Sequence, residues 1–167
     1  MKLSDVYSIE ELVKELAITV SCGGNLLMNV GPDKDGVIVP IFEERLRQLG
    51  EWLGVNGEAI YSSNPWTYQN DSSNSEVWYT SKVSPVEGRV VYGVLLQWPQ
   101  SGRLEVSSPE AGKETSVTLL GSSAGPLQYE VGVSSLTIEL PDITHSGLRW
   151  AWVLKFSHLS NGGNSVL

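Results

Sequence analysis

Hydrophobic positions recur at two different periods along the chain, and the change falls near residue 60. Over residues 8–24 the spacing is helical: Leu12, Val13, Leu16, Ala17 and Val20 fall on one face. Ser8 and Glu11 form an S-x-x-E capping box at the start, and Gly23-Gly24 provides the stop. Leu26-Leu27-Met28-Asn29-Val30 is a short, nearly unbroken apolar run, the pattern of a strand buried on both faces in a parallel sheet. The turn-rich Gly31-Pro32-Asp33-Lys34-Asp35-Gly36 follows. Pro40 then opens a second amphipathic helix, filled by Ile41, Phe42, Leu46, Leu49, Trp52 and Leu53 and closed around Gly54 and Gly57. Helix, strand, helix is one unit of an α/β architecture, and its strand needs parallel neighbours.

Beyond residue 60 the period becomes two. Strands are expected at 77–82, 89–98, 117–120, 127–131, 136–140 and 150–156, separated by Gly, Pro and Ser clusters at the spacing of a β-sandwich. Residues 62–75, rich in Ser and Asn, read as a linker or first loop, and residues 160–164 as a frayed tail. The fold expected is therefore an α/β barrel remnant over residues 1–59 followed by an all-β antiparallel sandwich over 60–167. There is no internal repeat.

Composition narrows the partners. The 167 residues carry a formal net charge of −8 and a pI near 4.7. No Lys/Arg stripe is present to displace phosphate counterions, so a nucleic-acid partner is not expected. The same acidity disfavours an anionic membrane surface, and no apolar run approaches the roughly 20 residues of a spanning helix. Cys22 has no partner for an internal disulfide, and with His145 and His158 as the only histidines no metal site is expected. Met1-Lys2-Leu3-Ser4-Asp5 lacks the apolar stretch of a secretory leader.

Several segments invite a chemical reading. Gly121-Ser122-Ser123-Ala124-Gly125 matches G-x-S-x-G, but Pro126 and a strand-like run follow where a nucleophile elbow needs a helix, so a hairpin loop is expected. Asp33 and Asp35 lack the glycine position and distal glutamate of a calcium loop and read as a solvated turn. Glu10-Glu11 and Glu43-Glu44 sit in first helical turns, where they favour the helix dipole. Asn29 interrupts an apolar strand at its C-terminal end, where a barrel places substrate-contacting groups; it reads either as such a group or as an amide serving a loop backbone. Among six tryptophans most read as core, while Trp66, following Asn64-Pro65, is the one placed in a loop and able to serve as a sugar-stacking platform. Asn70-Asp71-Ser72 is a glycosylation sequon.

Taken together, Ser21-Cys22-Gly23-Gly24-Asn25-Leu26-Leu27-Met28-Asn29-Val30-Gly31-Pro32, then Asp35-Gly36, Ile41-Phe42-Glu43-Glu44-Arg45-Leu46 and Val55-Asn56-Gly57-Glu58-Ala59-Ile60-Tyr61, resemble the α-L-fucosidases, family 29 of the glycoside hydrolases. The likeness continues through Pro65-Trp66, Gln69-Asn70-Asp71, residues 77–82, Val91-Tyr92 and Trp98-Pro99, and beyond about residue 100 lies in strand pattern more than in residues. The resemblance implies the end of a (β/α)₈-like catalytic barrel joined to a C-terminal β-sandwich. It implies removal of α-linked fucose from fucosylated glycans with retention, through a covalent intermediate and without a cofactor. It places both catalytic carboxylates upstream of Met1, leaving Asn29 and the Gly31-Pro32 loop as the pocket-lining groups, and makes Met1 to Asp5 a cut within the family sequence. A lysosomal or secreted location and a homo-oligomer are implied in the same way. A stand-alone carbohydrate-binding module, or a regulatory fragment pairing through the 26–30 strand edge, are the competing readings.

Overall fold

A computed structural model describes residues 6–163. Two helices, α1 (Ile9–Ser21) and α2 (Pro40–Asn56), lead through a single 3₁₀ turn, Gly57–Ala59, into eight strands. These are β1 (Asn64–Asn70), β2 (Val77–Ser84), β3 (Gly88–Leu95), β4 (Arg103–Val106), β5 (Ala111–Leu119), β6 (Tyr129–Val131), β7 (Leu136–Glu139) and β8 (Trp152–Leu159). The capping box forms as read: Ser8 Oγ accepts from the Glu11 amide at 3.2 Å, and Glu11 accepts from the Ser8 amide at 2.7 Å. Gly23, in the left-handed region at φ 82°, closes α1.

The strands form two antiparallel sheets, one in the order β1-β2-β3-β8-β5 and the other β4-β7-β6. Alternation along β3 sorts its side chains. Val91 and Leu95 face the three-stranded sheet with Val77, Tyr79, Leu104, Ile138, Leu154 and Phe156. Val90, Tyr92 and Val94 face the helices with Val13, Ala17, Trp52, Ala151 and Val153. A strand covered on both sides must be apolar at both parities, which is why residues 90–95 read as a nearly unbroken apolar run. The helices thus share a core with the sheet. Trp52 Nε1 donates to the Ala151 carbonyl at 2.9 Å, and Thr80 Oγ1 donates to the Ala59 carbonyl at 2.7 Å. Ala59, in the 55–61 segment, is thus one of several points at which the helices meet the sheet.

One glycine makes a further junction possible. Gly121 holds φ 74°, and a Cβ there would lie 2.5 Å from Val55 and 2.8 Å from Leu148. Gly121→Ala is expected to destabilise the chain by about 2 kcal/mol or more, from left-handed strain plus overpacking, read as a lower urea midpoint with unchanged slope.

Residues 26–30 are extended and pair with nothing among the described residues, as expected of a strand that needs parallel neighbours. Three expectations need correction. The 62–75 stretch contains an edge strand, β1, in which only Trp66 of seven residues is buried, so little apolar periodicity marks it. The four-residue β4 was also missed, for want of length. Residues 160–163 are not frayed: Ser160 donates to Glu110 O at 2.9 Å, and Asn161 accepts from the Glu110 amide at 3.0 Å and donates to Ser108 O at 2.8 Å. Asn164 and residues 1–5, including the expected cut at Met1, lie outside the described residues.

Candidate functional site

The 26–30 segment keeps the side-chain alternation of a strand. Leu26, Met28 and Val30 are half-buried, and the first two pack against the helix-side core. Leu27, at 93 % exposed, and Asn29 are presented on the opposite side. Asn29 also lines a cleft of about 160 Å³ with Tyr7, Leu12, Met28, Phe42 and Arg45. Arg45 ties this end together, donating from Nε to the Tyr7 carbonyl at 2.9 Å and from Nη1 to Gln48 at 2.8 Å. No hydrogen bond among the described residues engages the Asn29 side chain. The Gly31-Pro32 stretch that follows is exposed.

The structure does not bring Trp66 or Asn70 to this place. Trp66 sits on β1 at 3 % exposure, edge-on to Tyr79 and Tyr68 with ring centroids 5.1 and 5.3 Å away. It is a core residue and offers no platform; the Asn-Pro before it suggested a loop, but burial of a large ring at the sandwich edge prevailed. None of the six tryptophans is exposed. Asn70 Nδ2 donates to the carbonyls of Ser75 at 3.0 Å and Val77 at 2.9 Å, bonds that a glycan on that nitrogen would disturb. Gly121 to Gly125 form a hairpin turn with Ser122 Oγ accepting from the Ala124 amide at 3.1 Å, as the sequence suggested. Asp33 Oδ1 accepts from the amides of Asp35 and Val37, each at 2.9 Å, which makes it a turn-builder.

Two charged networks escaped sequence reading. Asp71, 5 % exposed, accepts from six donors: the Ser73 amide and hydroxyl, the amides of Asn74, Ser107 and Ser108, and the Tyr79 hydroxyl at 2.9 Å. Burial pushes its carboxyl upward, but the amides of Ser108 and Ser73, the Tyr79 hydroxyl and the Ser107 amide outweigh it and hold the group below its ordinary value. Burial, reinforced by the Asp71 charge, holds the Tyr79 phenol well above its own. Asp71 therefore pins the β1–β2 loop to the β4–β5 loop. Its signal in the sequence is a single Asp in a Ser/Asn-rich run, which any surface loop shares.

The second network lies where Glu58, in the 3₁₀ turn, meets the sheet. Lys155 Nζ is 3.3 Å from Glu58 and 3.0 Å from Glu87, while Tyr92 donates to Glu58 at 2.7 Å and Ser157 to Glu87 at 2.8 Å. Burial alone would lower the Lys155 ammonium, but hydrogen bonding to Glu87 and the Glu58 charge raise it. Glu87 is lowered by its bonds from Lys155 and Ser157. These carboxylates are held as counter-ions. In the cleft along α2, Glu43, Glu44 and Glu51 line one helix, with Glu43 on Arg47 at 2.6 Å and Glu51 on Arg149 at 2.7 Å. Carboxylates from a single helix do not face each other across a substrate.

A helix pair that flanks an unpaired strand, with its one polar residue at the strand's end, and that is seated on an antiparallel sandwich is the closing part of a barrel-plus-sandwich protein. The family model described as α-L-fucosidase matches residues 1–58, and that of the α-L-fucosidase C-terminal domain matches residues 69–157. The chain belongs to the α-L-fucosidase family and corresponds to its C-terminal region. It is 51 % identical to an α-L-fucosidase of Branchiostoma floridae over 156 residues, covering 92 % of this chain and 33 % of that protein. It is 48 % identical to the plasma α-L-fucosidase of Homo sapiens over 161 residues, covering 94 % and 34 %. The crystal structure of Thermotoga maritima α-fucosidase in complex with fucose superposes with a TM-score of 0.76 at 30 % identity, covering 90 % of this chain and 34 % of that one. The chain thus spans about a third of the length of these relatives.

Proposed function

We propose that this chain is the C-terminal portion of an α-L-fucosidase that hydrolyses α-linked L-fucose from glycoproteins, glycolipids or oligosaccharides with retention, and that it contributes to the pocket without carrying the catalytic pair. The observation that supports this most is residues 26–30 lying extended between two helices, with Asn29 presented beside a cleft at the segment's end. In this reading residues 1–59 end the barrel and 60–167 form the sandwich that braces it through Glu58, Thr80 and Trp52. Asn29 offers a neutral amide that donates and accepts at once, suited to a substrate hydroxyl.

Retaining hydrolysis uses two carboxyl groups about 5–5.5 Å apart, one attacking the anomeric carbon and the other protonating the leaving oxygen. Three carboxylates described here already serve other partners: buried Asp71 accepts from amides and hydroxyls, and Glu58 and Glu87 share Lys155. On the family resemblance, nucleophile and acid/base are assigned to the portion of the α-L-fucosidases that this chain, about a third of their length, does not span; the fucosylated substrate, a lysosomal or secreted setting and a homo-oligomer belong to the whole protein.

Hydrolysis of a chromogenic aryl α-L-fucoside by the purified chain tests this. The expected result is a folded sample, with a cooperative melt, that releases no more aglycone than buffer does. Sustained turnover abolished by a fucosidase inhibitor would overturn the assignment.

A further inference from the structure

A cleft of about 510 Å³ opens where the end of α1 meets the turn into β1, within the roughly 300–1,000 Å³ usual for small-ligand sites. In a chain of net charge −8, not one of its lining residues is charged. Asn25, Ser62 and Asn64 line it, are exposed, and have amide or hydroxyl groups that no hydrogen bond among the described residues engages. Leu26 and Ile60 add half-buried apolar surface. Tyr61 adds an aromatic ring that is 59 % exposed and yet held in place. Its amide donates to the Gly57 carbonyl at 2.8 Å, and its ring rests so close to Gly57 that a Cβ there would lie 2.6 Å from Cε2. Ser62 follows in the left-handed region at φ 54°, a conformation that costs a non-glycine residue about 1–2 kcal/mol. The turn is thus fixed by its packing.

This combination selects among ligands. An anion or cation would find no counter-charge, and a purely apolar molecule would strip water from three amide or hydroxyl groups without replacing it. A saccharide satisfies both demands, with hydroxyls for the neutral polar groups and a C–H face for the held ring. We propose that this cleft binds a neutral saccharide unit. The proposal involves no turnover, and it rests on the cleft staying open beside Leu26 where residues 26–30 meet their neighbouring strands in the whole protein. Leu26 belongs to the cleft, whereas Asn29 lies at the other end of the extended segment, about 10 Å on at strand rise.

An NMR titration of the ¹⁵N-labelled full chain with lactose, neutral fucosyllactose and anionic sialyllactose tests it. The expected result is saturable shifts at Gly23 to Asn25 and Tyr61 to Asn64 with lactose and fucosyllactose. Dissociation constants should be near millimolar, and sialyllactose should bind no more tightly. Tyr61→Ala should weaken binding about two- to tenfold, the loss of one stacking contact, whereas Tyr61→Phe should retain it; Asn64→Ala gives an independent reading should Tyr61→Ala fail to fold. No saturable shift at about 50 mM ligand, a weak-binding limit, would overturn the proposal. So would shifts that survive both alanine variants, or shifts that require fucose and centre on Asn29.

Discussion

Asp71→Ala is expected to lower the stability of the chain by about 3–5 kcal/mol, the loss found when a buried, fully bonded charge is removed from its partners. In a domain of this size that is a drop in Tm of roughly 10 °C or more, measurable by calorimetry or by urea unfolding. The amides of Ser73, Asn74, Ser107 and Ser108 would lose their shared acceptor, and the Tyr79 hydroxyl would be left buried. Tyr79→Phe removes one donor of six and should cost less, about 1–3 kcal/mol. The same carboxylate imposes a pH dependence. Its folded-state pKa is depressed below the unfolded value of about 3.9, so its contribution is complete above that value and is lost as pH falls through the folded one. Glu87 acts in the same sense, though more exposed to solvent. Asp71→Asn should therefore show a smaller fall in stability between about pH 5 and 2 than the parent chain. Parallel stability-versus-pH curves for the two proteins would contradict the assignment of that acid sensitivity to Asp71.

Trp52→Ala is expected to cost a comparable 3–5 kcal/mol or so, because it empties the contact on which α2 rests. Trp52 is 2 % exposed, packs among Val90, Tyr92, Val94 and Val153, and donates to the Ala151 carbonyl. Trp52→Phe keeps most of the apolar area but leaves that carbonyl unpaired, so about 1–3 kcal/mol should be lost. The comparison separates packing from hydrogen bonding. If α1 and α2 formed a core of their own, Trp52→Ala would leave the sandwich's melting unchanged; with a shared core, helix signal and near-ultraviolet sheet signal should fall together at a lower temperature. This bears on function, since the support under residues 26–30 comes from the same helices.

Local signals explain which parts of this architecture were readable in advance. The capping box at Ser8 and Gly23 bounded α1, and Pro40 opened α2, because these devices act through their own backbone; the expected stop at Gly54 does not hold, since α2 runs through it to Asn56 and on into the 3₁₀ turn. Period-two runs gave β2, β3, β5, β6, β7 and β8, since a buried sheet face imposes that alternation directly. β1 and β4 lacked it, one as an edge strand with a single buried ring and the other as a four-residue segment. The family was legible in the run from Ser21 to Pro32 and in the 55–61 motif.

What the sequence determined by itself was the kind of each long element, the change of period near residue 60, the packing of most tryptophans in or against the core and the membership of the α-L-fucosidase family. Each depends on contiguous residues. The tertiary structure decided the rest: that Trp66 is core, that Asn70 Nδ2 is engaged by two carbonyls, that the tail is tied to Glu110, and that Asp71 and Lys155 join distant segments. The tail, Asp71 and Lys155 depend on groups brought together from distant positions, 37 apart for Asp71 and Ser108 and 51 for Glu110 and Asn161, and Trp66 and Asn70 on how β1 meets β2; no local pattern records such pairings. The 26–30 segment shows the division most plainly, because its side-chain alternation is written in its own five residues while its hydrogen bonding depends on strands that those residues do not encode.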